Sequence, residues 1–213
     1  MRTPAVLWLT FGGLGQNSPT LESASPFDLF GREHFVTVAV IAAIIVGVTV
    51  WGRRQSRERA LWAGKALAVL LVAYRLAETI FRIRILEHPW QETFPFHFCG
   101  ILYLVQAWAL WRGGQWAFEL VYFWTFAGTL HSLITPDVLV GYPHPEWWSY
   151  FLSHGLLILC ASYATFALGR RPEPGSSRRA FVATNVWVAI VLPINLLLGT
   201  NYLFLRAKPP TTT

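Results

Sequence analysis

The sequence predicts an all-α, polytopic membrane protein: a six-transmembrane-helix bundle with its N and C termini outside. Three observations predict it. The 213 residues are 54% hydrophobic and 13% charged, with a mean hydropathy of +0.42, where a soluble domain carries roughly 25% charged residues. The apolar residues gather into six stretches, each near the ~20 helical residues that cross a hydrocarbon core of ~30 Å. The basic residues gather in alternate loops, the pattern that sets orientation across a bilayer. Six spans consume most of the chain, which excludes a separate soluble catalytic domain and confines any active site to the helices and their short connections.

Each element follows in chain order. Residues 1–34 read as an extracytoplasmic tail: the apolar run from Ala5 to Leu14 is too short to span, has only Arg2 before it, and leads into the polar stretch from Gln16 to Ser25, so it is peripheral rather than a cleaved signal. Span one, Phe35 to Trp51, runs into Arg53, Arg54, Arg57 and Arg59. Span two, Leu61 to Phe81, carries Lys65 near its start. Span three, Phe96 to Trp111, follows Pro95, which suits a first helical position because its missing donor would be unpaired there. Span four, Trp116 to Thr135, is ended by Pro136, which disfavours helix at the residue before it. Span five, Trp147 to Leu168, precedes Arg170, Arg171, Arg178 and Arg179, and span six is Ala180 to Leu203. The membrane domain is thus 35–205, and 206–213 ends in a Pro/Thr tail expected to be disordered. Trp51, Trp90, Trp111, Trp116, Trp147 and Trp148 stand near span ends, where amphipathic rings prefer the headgroup level.

The formal net charge is +6. The arginine-rich loops between spans one and two and between five and six, with Arg112 between three and four, are expected on the cytoplasmic side. No basic, aromatic-interleaved groove accompanies the charge, so nucleic acid is not an expected partner and anionic headgroups are. Cys99 and Cys160 are too few for a disulfide scaffold, and their depths differ by well over ~10 Å where bridged Cα atoms stay within ~7 Å, so both are expected as free thiols.

Ionisable groups inside a span are costly and by default mark function. Arg75, Glu78 and Arg82 share one face of span two at spacings of three and four; an ion-pair clasp and a functional role are both open for them. Cys99 sits near the helix start of span three, whose partial positive charge and free donors favour a thiolate, although a buried cysteine is also an ordinary packed residue. His97, two residues away, is turned by ~200° around a regular helix and faces elsewhere. Counting depth from the span ends places Cys99, Glu78, His131, His154 and Asn201 in one layer about 5 to 12 Å below the outer surface. Sequence gives depth but not azimuth.

A cysteine nucleophile needs a base, which His154 or His131 would supply, and the backbone donors at the start of span three would hold an oxyanion. No H-E-x-x-H or paired C-x-x-C spacing is present, so neither a metal nor another cofactor is expected. Asp137 and His144, in the proline-stiffened loop from Thr135 to Pro145, read as turn or cap residues.

The run Phe94-Pro95-Phe96-His97-Phe98-Cys99, with Leu133 to Asp137, Ser153-His154-Gly155 and Asn201-Tyr202, resembles the YwaF-type family of bacterial integral membrane proteins over roughly residues 35 to 208. It also resembles the related eukaryotic transmembrane acyltransferase that loads acyl chains onto ether phospholipids and, more remotely, the androgen-induced-gene-type lipid hydrolases, which use threonine. The resemblance implies a multi-pass protein of the cell membrane, a bacterial inner membrane, with Cys99 as nucleophile and His154 as its histidine. His131 stands where many bacterial members have glutamine. The expected function is a cysteine-dependent phospholipid acyltransferase or lipid hydrolase acting on membrane phospholipids or lysophospholipids. Cys99 and His154 would be catalytic; His97, His131, Glu78, Arg75 and Asn201 would bind substrate. The alternative is a small-molecule or lipid binder or transporter without covalent chemistry, and a third reading makes the polar layer purely structural.

Overall fold

The computed structural model describes residues 25–208, and the run from Ala5 to Leu14 and the tail from Pro209 to Thr213 lie outside the described residues. Six helical rods follow one another. Helix α1 (Arg32–Arg53) and α2 (Arg57–Arg84) are joined by a short turn, with Ser56 capping α2 by accepting from the Arg59 N–H. A 3-10 turn (Trp90–Glu92) leads to α3 (Phe98–Arg112), which ends at the left-handed Gly113. The fourth rod is α4 (Gln115–Trp124), a π turn (Thr125–Thr129) and the short α5 (His131–Ile134). Helix α6 (Pro145–Ser162) also continues through a π turn (Tyr163–Ala167), and α7 (Ser176–Leu198) precedes a 3-10 turn (Tyr202–Phe204). Among the described residues there is no strand beyond one bridge between Pro26 and Val140.

Among the described residues, three helices are long and apolar enough to cross a membrane: Arg32–Arg53, Pro145–Ala167 and Ser176–Leu198. The other rods fall short for visible reasons. Helix α2 carries eight charged side chains, among them Lys65, Arg75, Glu78 and Arg82. Helix α3 has 15 residues, a length of about 22 Å. The fourth rod is interrupted at Leu130, between its π turn and α5.

Helix α6 is the hub, packing against α1, α2 and α3. Leu71 of α2, Leu102 and Tyr103 of α3, Phe118 and Val121 of α4, and Leu157, Cys160 and Ala161 of α6 form the main core. Small residues let the rods approach: Ala60, Gly64 and Ala68 recur every four residues on the buried side of α2, and a Cβ on Gly52 would lie 2.3 Å from the Tyr163 ring. The Tyr163 hydroxyl donates to the Ala60 carbonyl at 2.9 Å, tying α2 to the end of α6. The outer helices are the reverse of a soluble core: the apolar stretches of α1 and α7 are each 11% buried, and Val40, Ile44, Val186, Leu196 and Leu197 stand exposed. A surface so apolar is stable against lipid and not against water.

Candidate functional site around Cys99 and His154

The site begins with a turn. Sequence reasoning expected span three to start at Pro95, but Pro95 and Phe96 form a tight turn and α3 starts at Phe98, with His97 as its N-cap. The Phe96 N–H donates to the Phe94 carbonyl at 2.9 Å, and the turn folds so closely over the helix start that a Cβ on Gly100 would lie 2.8 Å from the Pro95 Cα. Cys99 is therefore in the first turn of α3. Among the described residues, the backbone N–H groups of Phe98, Cys99 and Gly100 have no acceptor, the first bond of the helix running from Ile101 N–H to the His97 carbonyl.

The Cys99 thiol faces α6 and the fourth rod. Its sulfur is 3.8 Å from the Thr129 hydroxyl, and the His154 imidazole is its electrostatic partner. Thr129 arrives because the π turn re-aims it; its hydroxyl also approaches the Trp124 carbonyl at 3.4 Å. His154 Nδ1 lies 2.8 Å from the Tyr150 carbonyl, one turn back in α6, and 3.2 Å from the Ser153 hydroxyl, while the imidazole packs on the Tyr150 ring at 4.3 Å between centroids. A ring nitrogen that close to a carbonyl carries the proton, so Nε2 is the basic nitrogen.

Behind the pair lies a buried carboxylate. Glu78 accepts from Arg75 Nη1 at 2.9 Å and from the Ser149 hydroxyl at 3.2 Å, and its charge reaches both Cys99 and His154. Arg75 also donates through Nη2 to the Thr93 carbonyl at 2.6 Å, pinning the segment that leads to Cys99. Tyr74 and Tyr103 stack beside this cluster and anchor on the Ser149 and Ser153 carbonyls.

Cys99, His154, Glu78 and Arg75 are thus brought together. The other three expected site residues are not. His97 turns to the C-terminal segment, where its Nδ1 accepts from the Leu203 N–H at 3.3 Å and its ring meets Tyr202 and Phe204. His131 is exposed, with no side-chain partner among the described residues. Asn201 folds the tail, its Oδ1 accepting from the Arg206 and Ala207 N–H groups and its Nδ2 donating to the Ala207 carbonyl. The neighbouring Asn195 and Tyr202 act on the site more directly. Asn195 is fully buried and grips the Tyr202 backbone through both ends of its amide. The Tyr202 hydroxyl in turn donates to the Gln91 carbonyl and accepts from the Phe94 N–H at 3.1 Å, clamping the segment before Cys99.

Sequence reasoning missed Thr129 and Tyr150, and marked Tyr202 only as part of a motif, with no role assigned to it. Tyr150 was within reach, standing four residues before His154 on one helical face. Thr129 carries no such signal, since its direction depends on the π turn. Both cysteines are free, and no group of three or more His, Cys, Asp or Glu able to hold a metal ion occurs among the described residues.

Comparisons with curated proteins and with solved structures give no match. The sequence model of one family does match, over residues 29–213, a stretch that takes in every helix and every residue of the site described above. By that match the chain belongs to the TMEM164 family, a family of transmembrane proteins.

Proposed function

We propose that this integral membrane protein is a thiol-dependent lipid acyl enzyme, an acyltransferase or a hydrolase, with Cys99 as nucleophile and His154 as base. The observation that carries the reading is the pairing of a first-turn cysteine with a histidine whose Nδ1 is committed to the Tyr150 carbonyl. His154 Nε2 takes the thiol proton and the Cys99 sulfur attacks the ester carbonyl of a phospholipid. The free N–H groups of Phe98, Cys99 and Gly100 stabilise the oxyanion. The C–O bond breaks, the lysophospholipid alkoxide takes the proton back from His154, and the acyl group stays on Cys99 as a thioester. The hydroxyl of a second lysophospholipid, or water, then gives its proton to His154 and attacks the thioester, and the new ester or free acid leaves as the thiol is reprotonated. Glu78 favours the imidazolium that forms in each half. All six rods cross the membrane in this reading, with both termini outside and the arginine-rich loops in the cytoplasm of a bacterial cell.

Intact-protein mass spectrometry of the protein incubated with phospholipid tests it. An acyl mass that alkaline hydroxylamine removes is expected on wild type and on Cys160→Ala, and not on Cys99→Ala. An adduct that persists in Cys99→Ala, or turnover that survives that substitution, would sink the mechanism.

A further inference from the structure

A second site lies on the opposite side of α3. Helix α7 leans on α4 but stands off α3, bridged by two indoles: Trp187 donates to the Phe96 carbonyl at 3.2 Å, and Trp124 donates to the Thr184 hydroxyl at 2.8 Å. Between the helices runs a groove of about 550 Å³ open to the surface, lined by Ile101, Val105, Trp116, Val182, Val186 and Ile190, with Arg178 at one end. Its volume falls within the ~300–1,000 Å³ of small-molecule sites. From Arg178 to Ile190 the helix rises about 18 Å, close to the ~15 Å hydrocarbon depth of a single leaflet with its headgroup margin.

The charge at the end of the groove names its occupant. Arg178 and Arg179 stand in the first turn of α7, where the helix dipole disfavours cations and the turn itself holds no acidic residue. Arg179 is answered by Glu119, which accepts from its Nε and Nη2 at 3.0 and 2.7 Å. Arg178 is exposed and has no partner among the described residues. An unpaired guanidinium, a helix N-terminus and an exposed indole at the mouth of an apolar channel one leaflet deep match a phosphate-bearing headgroup with its acyl chain in the channel. We propose that this groove binds one anionic phospholipid from the leaflet on the Arg178 side, with Arg178 on the phosphate and the chain lying along Val182, Val186 and Ile190.

Native mass spectrometry of the full-length, delipidated protein tests the site, with phosphatidylglycerol and phosphatidylcholine of identical chains as probes. Wild type is expected to retain phosphatidylglycerol about fivefold more tightly, the effect of one arginine at a headgroup. Arg178→Gln is expected to abolish that preference while both lipids still bind, Arg178→Lys to keep it, and Val186→Trp to weaken both. Equal retention of the two lipids by wild type, or an unchanged preference in Arg178→Gln, would overturn the proposal. So would a dimer that Val186→Trp dissociates without altering lipid retention, since a second copy of the chain would then be the occupant. Arg178 and Val186 are exposed, and acylation of Cys99 in the same samples reports on the other site separately.

Discussion

His154 Nδ1 and the Tyr150 carbonyl oxygen lie 2.8 Å apart across one turn of α6. The carbonyl is a backbone acceptor that cannot swing away, so it holds the imidazole in one tautomer with Nε2 unprotonated, and the Tyr150 ring 4.3 Å away limits rotation about χ2. The same tyrosine ties its hydroxyl to the Asp137 N–H and the Ser132 carbonyl, so the loop after α5 and His154 on α6 are held by one side chain.

The first prediction concerns that base. In a Cys160→Ala background, where Cys99 is the remaining thiol, alkylation by a soluble iodoacetamide should slow strongly in His154→Ala. Acyl transfer should fall at least about 100-fold, the lower range for removing a positioned general base. Stopped-time alkylation followed by mass spectrometry checks it. An unchanged alkylation rate would mean that His154 does not activate the thiol.

Gly100 supplies the second. Its Cβ would lie 2.8 Å from the Pro95 Cα and 3.0 Å from the Pro95 carbonyl carbon, both backbone atoms that no rotamer change can move. Gly100→Ala should therefore lower stability by about 1–3 kcal/mol through overpacking and displace the helix start that carries Cys99, reducing acylation with it. Gly128→Ala in the π turn, where a Cβ would meet nothing within 4 Å, should leave both quantities near wild type. Thermal unfolding in detergent and the adduct assay read the contrast.

The third prediction separates charge pairing from chemistry at Glu78. Glu78 is 9% exposed and pairs with Arg75, whose side chain is 15% exposed. Removing the carboxylate alone leaves a cation in an apolar setting, so Glu78→Leu should destabilise the protein by about 3 kcal/mol. The double variant Arg75→Met with Glu78→Leu removes both charges and should recover much of that loss. If Glu78 also steadies the imidazolium, acyl transfer stays depressed in the recovered double variant. A double variant with full activity would leave Glu78 a clasp and nothing more.

These residues also mark how far the sequence could be read. The helical rods follow from apolar runs and their charged or proline breaks, and the shared depth of Cys99, His154 and Glu78 follows from the helical rise. Azimuth does not follow from rise. His131, counted to that same depth, is exposed, and Asn201 lies beyond the helix end, folding the tail instead of lining the site. Helix α3 starts three residues later than Pro95 because Pro95 enters a turn that a glycine at position 100 makes room for. The π turn at Thr125–Thr129 left no mark in hydropathy, and with it went Thr129.

The fourth prediction lies at the other end of α3, about 20 Å from Cys99 along the helix. Glu119 is 2% exposed and takes donors from Arg179, from the Glu173 N–H at 3.2 Å and from Gln115 Nε2 at 3.2 Å. It fastens α4 to the start of α7. The two halves of the pair are unequally buried, since the Arg179 side chain is 40% exposed. Arg179→Ala leaves the carboxylate with only the Gln115 and Glu173 donors and no counter-charge, and should lower stability. Glu119→Leu frees a guanidinium that can swing into solvent, and should cost less despite the lost donors' partner. The order is the test: thermal unfolding should rank Arg179→Ala below Glu119→Leu in stability. The rate of Cys99 acylation, measured where both variants remain folded, should match wild type, because this clasp sits at the opposite end of the bundle. A loss of acylation in folded Arg179→Ala would join the two ends of α3 in one function and contradict the separation argued between them.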